Sequence, residues 1–158
     1  MIFRYENADE SLTSVFKEVI EERFPSLAPL NFKLIYDTKK VTKSGRTILA
    51  SIELPGQKLR FFTSDSDVEE GYDYILYVNQ KAWEFATEKD RKRLLSHELR
   101  HVFIDEKGNC KIIGHEIEDF YAELELNRDD PEWGRNLATL VTDYYDQEKD
   151  MAKGNTGG

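Results

Sequence analysis

The sequence predicts an α+β fold in which a small, mostly antiparallel sheet is packed with helices. Three observations predict it. An amphipathic helical pattern comes first, short alternating segments fill the middle, and helical patterns return for the rest of the chain. No internal repeat interrupts that order. The 158 residues are 39% hydrophobic, which is enough for one core and too little chain for two large domains. Residues 1–150 therefore read as a single domain, and 151–158 (MAKGNTGG) as a flexible tail.

Residues 8–24 place Leu12, Val15, Phe16, Val19, Ile20 and Phe24 at helical spacing, and Pro25 and Pro29 end that helix. Residues 31–36 (NFKLIY) read as a strand, followed by the polar hairpin loop DTKKVTKSG. Residues 46–54 (RTILASIEL) read as a second strand, closed by a Pro55-Gly56 turn. Residues 58–63 (KLRFFT) and 73–79 (DYILYVN) read as two more strands, joined by the acidic loop SDSDVEEG. Residues 80–86 form a short helical turn. Thr87 followed by Asp90 resembles a capping arrangement that opens a helix through about Phe103. A loop spans 104–114, a helix runs from about His115 to Asn127, and Pro131 suits the first turn of a last helix over 131–149.

The net charge of −9 disfavours an overall basic nucleic-acid binder. The acidity is local: residues 115–150 hold twelve acids and three bases, and the remainder is neutral. Residues 33–60 hold seven bases and two acids. Lys39, Lys40, Lys43 and Arg46 cluster on the expected hairpin, and Lys89, Arg91, Lys92 and Arg93 form a second group. Both read as solvated faces rather than nucleic-acid sites. A single cysteine, Cys110, excludes an internal disulfide framework and any Cys-rich zinc knuckle. The N-terminal MIFRYENADE has no apolar core of signal-peptide length, and no apolar run approaches the roughly 20 residues that cross a bilayer. The expectation is a soluble, cytoplasmic protein without a membrane partner.

Histidine is the most informative residue. All three, His97, His101 and His115, fall within nineteen residues. Residues 94–103 (LLSHELRHVF) contain H-E-x-x-H on an expected helix. Four residues apart, two imidazoles project from one helix face and can reach one metal ion. Neutral imidazole is a good zinc ligand at about 2.0–2.1 Å. Glu98, one residue on, lies to the side, where it can reach a metal-activated water as general base. At about 100° per residue, Leu94, His97, Glu98 and His101 fall in one sector. Leu95, Leu99, Val102 and Phe103 form an apolar sector, and Arg93, Ser96 and Arg100 form a polar, solvent-facing one.

A catalytic zinc takes three protein ligands and keeps one open position. His115, fourteen residues after His101 in GHEIEDF, is the favoured third ligand, with Glu118 the alternative; carboxylates are plentiful here and histidines are not. Asp119 and Glu118 share the His115 helix face, and either can hydrogen-bond a ligand ring and fix its tautomer. Cys110 reads as a small loop or core residue, since a fourth ligand would close the site. Trp83 and Trp133 read as packing.

LLSHELRHVF followed by GHEIEDF resembles the zincin class of metallopeptidases, and more narrowly the phage and prophage metallopeptidases. Those domains carry a similar HELxH helix, a short loop and a G-H-[DE]-x-E-[DE]-F segment. The resemblance covers roughly 73–127. It implies a zincin-like fold, a Zn²⁺ cofactor, a peptide or protein substrate and, for a phage-encoded protein, the host cytoplasm. The chain departs from the better-known gluzincins, which place a glutamate ligand in E-x-x-x-D; here the pattern reads His115 to Asp119.

The expected reaction is metal-assisted hydrolysis of a peptide bond, with Tyr121, Tyr144 and Tyr145 as candidate oxyanion donors and 73–79 as the edge an extended peptide pairs with. The alternative is a non-catalytic, zinc-stabilised binding module, for example a phage protein that engages a host factor. A third reading is a zinc hydrolase of a non-peptide amide. A nucleoside deaminase is disfavoured because its H-x-E and P-C-x-x-C pattern is absent. The intact Glu98 favours an enzyme, since a structural site needs no base.

Overall fold

The computed structural model describes residues 2–114 and 121–156. It is an α+β fold whose four-stranded sheet carries two antiparallel pairings and one parallel pairing. Strand β1 (Tyr5–Asn7) leads into helix α1 (Glu10–Arg23). The Asp9 carboxylate caps α1 by accepting from the Leu12 amide at 3.1 Å, and Leu12, Val19 and Ile20 are its buried stripe. A 3₁₀ turn at Pro25–Leu27 closes it. Strand β2 (Phe32–Asp37) follows, and then a small hairpin of β3 (Thr42–Lys43) and β4 (Arg46–Thr47). Its turn residues Ser44 and Gly45 both have positive φ, the geometry that tight hairpins favour.

The expected strand over 46–54 is split between two ladders. Residues 46–47 pair within the hairpin, whereas β5 (Ala50–Glu53) pairs with the central strand. Between them the Ile48 amide bonds the Val41 carbonyl at 2.8 Å, and the Leu49 carbonyl accepts from the Asn79 amide at 2.8 Å. Residues 58–63, expected as a strand, lie instead in helix α2 (Gln57–Thr63). Both sides of the central strand, β6 (Tyr74–Asn79), are already occupied by β2 and β5, so KLRFFT has no place beside it. The Pro55-Gly56 turn starts a helix there, and Phe61 and Phe62 stay exposed.

The sheet order is β1-β2-β6-β5. The expectation that 73–79 forms an open edge is therefore corrected: β6 is central, buried along both faces, and the edges are β1 and β5. Helix α3 (Gln80–Phe85) is capped by Asn79, and helix α4 (Glu88–Leu99) by Thr87. The second was expected to run to about Phe103. It stops at Leu99 because Val102, Phe103 and Ile104 form strand β7 (Val102–Ile104), which pairs with β8 (Cys110–Ile112). The expected loop over 104–114 thus contains a hairpin. At its tip the Asp105 carboxylate accepts from the Lys107 and Asn109 amides at 2.9 and 2.8 Å.

Of the helix expected from about His115 to Asn127, residues 115–120 lie outside the described residues, and helix α5 covers Tyr121–Leu126. Helix α6 (Trp133–Thr156) continues past residue 150, so 151–156 of the expected flexible tail are helical. The main core lies between the sheet and α1 and α4. It joins Leu12 and Val19 to Leu76 and Val78 and to Leu94, Leu95 and Leu99. A second cluster, Ala82, Ala86, Leu137 and Val141, packs α6 on α3. Among the described residues no helix is long and apolar enough to cross a membrane.

Candidate metal centre

Three leucines set the rotation of α4. Leu94, Leu95 and Leu99 are 3%, 0% and 1% exposed, and full burial of each contributes roughly 1.5–3 kcal/mol. With that face in the core, His97 is left half-buried in the final turn, next to a Glu98 that is only 7% exposed. The backbone tightens at the same point. The Arg100 amide bonds the carbonyls of Ser96 and His97 at 3.1 and 3.3 Å, and the His101 amide bonds that of Glu98 at 3.1 Å. His101 thus sits just past the helix, where the chain turns into β7. Its ring meets that of His97 edge-on, with centroids 5.7 Å apart and planes at 73°.

The hairpin completes the setting of His101. Its Nδ1 lies 2.6 Å from the Ile113 carbonyl oxygen, and the Ile113 amide donates to the His101 carbonyl at 2.8 Å. A ring nitrogen facing a carbonyl carries the proton, which leaves the lone pair on Nε2. Tyr74, fully buried on the central strand, anchors the hairpin to the sheet. Its hydroxyl donates to the Lys111 carbonyl at 2.7 Å, with the Phe103 carbonyl beside it at 3.3 Å. Burial holds that phenol well above its usual pKa. Burial also pushes the Glu98 carboxyl up to about 7, with the charge of His97 acting in the opposite direction.

Imidazole is a donor that zinc accepts, and two of them lie ring to ring here, one with a nitrogen tied to a carbonyl. Among the described residues no third His, Cys, Asp or Glu joins them in a metal-holding group. His115, Glu118 and Asp119 lie outside the described residues. Cys110 is half-buried at the far end of the His101–Ile113 ladder, opposite Ile104.

The sector of α4 expected to face solvent does not. Arg93 is 7% exposed and Ser96 is 0% exposed. Their side chains form a polar seam with the acidic segment that follows. Arg93 donates to Asp90 at 2.7 Å and to Asp129 at 2.5 Å. Ser96 Oγ and Arg100 Nε both donate to Oε1 of Glu123, at 2.6 and 2.9 Å. Glu123 is fully buried on α5 and was missed in the sequence. The available signal was a stripe of polar positions 93, 96 and 100 on one helix, matched by a separate acidic segment.

The candidate oxyanion donors are placed differently. Tyr145 accepts from the Asn79 amide nitrogen at 3.1 Å, and Tyr144 packs edge-on against Phe85. Asn79 and Tyr74 end opposite sides of the six-residue strand β6, about 17 Å apart. Both tyrosines therefore lie at the wrong end of the sheet for this role. The Tyr121 side chain lies outside the described residues. Trp83 and Trp133 are buried packing residues, as expected. The basic groups are engaged in part: Lys40 pairs with Asp146, Lys92 with Glu18 and Glu22, and the Arg91 guanidinium stacks on Trp83. A groove on the other side of the sheet, lined by Tyr5, Asp37, Ser51, Glu53 and Tyr77, is separate from the histidines.

The model of the family described as "Putative phage metallopeptidase" matches residues 3–145. No curated protein matches the chain.

Proposed function

The chain belongs to the phage metallopeptidase family, and from that premise we propose that it is a zinc-dependent peptidase with Glu98 as general base. The observation that carries this reading is the turn His97–Glu98–His101, with its two rings edge-on at 5.7 Å and His101 Nδ1 held by Ile113. His97 and His101 are two zinc ligands. His115 is the third, with Glu118 the alternative. His115 follows Ile113 by only two residues in the sequence, and Ile113 is bonded to His101, which supports His115 over a more distant residue. Asp119 or Glu118 hydrogen-bonds a ligand ring and fixes its tautomer.

A bound zinc ion supplies a Lewis acid and lowers the pKa of a water from about 15.7 to about 7. The chain's own residues do the rest. His101 presents Nε2 in a direction fixed by the Ile113 carbonyl. Glu98 takes the proton from the attacking water and delivers it to the leaving amine. Its enclosure keeps bulk solvent away from that transfer. An extended peptide pairs with the open edge of β5, which packs beside α4. The single free cysteine fits a reducing compartment, and we place the protein in the cytoplasm.

The test combines metal content with hydrolysis of casein. About one zinc per chain is expected. Glu98→Gln should retain the metal and lose hydrolysis by about 10²–10⁴-fold. Hydrolysis that survives in Glu98→Gln removes Glu98 as base. Full metal binding with no hydrolysis of any peptide library would favour the non-catalytic binding module.

A further inference from the structure

We propose that Glu123 is a positioning residue for the metal centre, holding the last turn of α4 at the pitch that lets His97 and His101 share one ion. This deepens the proposed function and rests on it. The relevant geometry is the spacing of the clamp. Oε1 of Glu123 accepts from Ser96 Oγ at 2.6 Å and from Arg100 Nε at 2.9 Å. Each donor stands one residue before a histidine: Ser96 before His97, and Arg100 before His101. One oxygen therefore ties together the two positions whose separation sets the distance between the rings.

The backbone alone does not fix that separation. The helix ends at Leu99, and the His101 amide bonds three residues back, to Glu98, rather than four. The turn is thus tightened toward 3₁₀ geometry between the two ligands, and a side-chain tie sets the pitch that an i−4 bond from His101 would otherwise set. The carboxylate is also in an unfavourable place. It is fully buried, on the first turn of α5 and against the last turn of α4, and burial penalises its charged form. The Arg100 guanidinium compensates, and it is in turn seated on the Phe24 ring at 4.7 Å. Among the described residues Oε2 has no hydrogen-bond partner, so the whole grip of the carboxylate passes through Oε1 to this one turn.

The experiment measures Zn²⁺ affinity by competition with a chromophoric chelator. It adds the visible spectrum of the Co²⁺-loaded protein and the thermal unfolding of the metal-free form. The proteins are the wild type, Glu123→Gln, Ser96→Ala and His97→Ala. Glu123→Gln should weaken Zn²⁺ binding tenfold to a hundredfold and alter the Co²⁺ bands, with the metal-free protein still folded. A Glu123→Gln protein that melts earlier but keeps wild-type affinity and an unchanged Co²⁺ spectrum overturns the proposal, because Glu123 is then only a staple between helices. If Glu123→Gln does not fold, Ser96→Ala decides: weaker binding supports the clamp, and wild-type binding overturns it. A wild type that binds no Zn²⁺, or binds it as His97→Ala does, defeats the metal-centre reading itself and the clamp with it.

Discussion

His101 and Ile113 are joined twice, ring Nδ1 to carbonyl oxygen at 2.6 Å and amide to carbonyl at 2.8 Å. In an ordinary antiparallel ladder the His101 amide would take the first of these bonds. That amide is committed to Glu98, and the imidazole replaces it. A side chain thereby acquires the fixed orientation of a strand backbone.

Ile113→Pro removes the amide that bonds the His101 carbonyl while keeping an apolar side chain. Zn²⁺ affinity should fall about tenfold or more, because without that backbone bond the strand end no longer holds the Ile113 carbonyl against the His101 ring. Ile113→Val should bind as the wild type does. Competition titration of both variants checks this, and equal affinity in Ile113→Pro would refute the role of the double bond.

Asp9 links acid sensitivity to the start of α1. Its carboxyl is held below the usual carboxylate range by the Tyr36 hydroxyl, which donates at 2.7 Å, and by the Leu12 amide. A pKa lower in the folded state gives stability that is present above the unfolded value, near 3.8, and is lost as pH falls through the folded one. Urea unfolding from pH 2 to 6 should therefore show a stability loss below about pH 4 that is smaller in Asp9→Asn. At pH 7, Asp9→Ala should cost about 1 kcal/mol as a lost cap.

Gly71 has φ +76°, and a methyl group there would run into the Arg60 backbone carbonyl. Gly71→Ala should destabilise the fold by more than about 1 kcal/mol, through strain and clash together. Gly45, at φ +77° with open space around it, is the control and should lose less on the same substitution. Denaturant midpoints of the two variants make the comparison, and equal shifts would show that the Arg60 contact is unimportant.

Much of the site was legible because it is local. His97, Glu98, Leu95 and Leu99 lie on one helix, and a helix writes its geometry into the sequence at short range; Leu94, grouped with the histidines on the helical wheel, is in the core instead, and His101 lies past the helix end. What failed depended on partners far along the chain. KLRFFT has strand-like residues, but β2 and β5 already flank β6, and that occupancy is a property of the whole sheet. Arg93, Ser96 and Arg100 look solvent-facing on a helical wheel. Arg93 and Ser96 are buried and Arg100 is half-buried because Glu123 and Asp129 lie across from them, 23 to 36 residues on. The early end of α4 follows from the pairing of 102–104 with 110–112, where β-branched and aromatic residues prefer the ladder to another helical turn.

The two histidines are mounted on different bodies. His97 rides on a helix bolted to the main core, whereas His101 is fastened to a short hairpin that hangs from the sheet by the Tyr74 hydroxyl. An ion held by both rings would act as a rivet across that joint. Capture of the ion and stiffening of the hairpin then become one equilibrium, and anything that loosens the hairpin is felt as weaker capture.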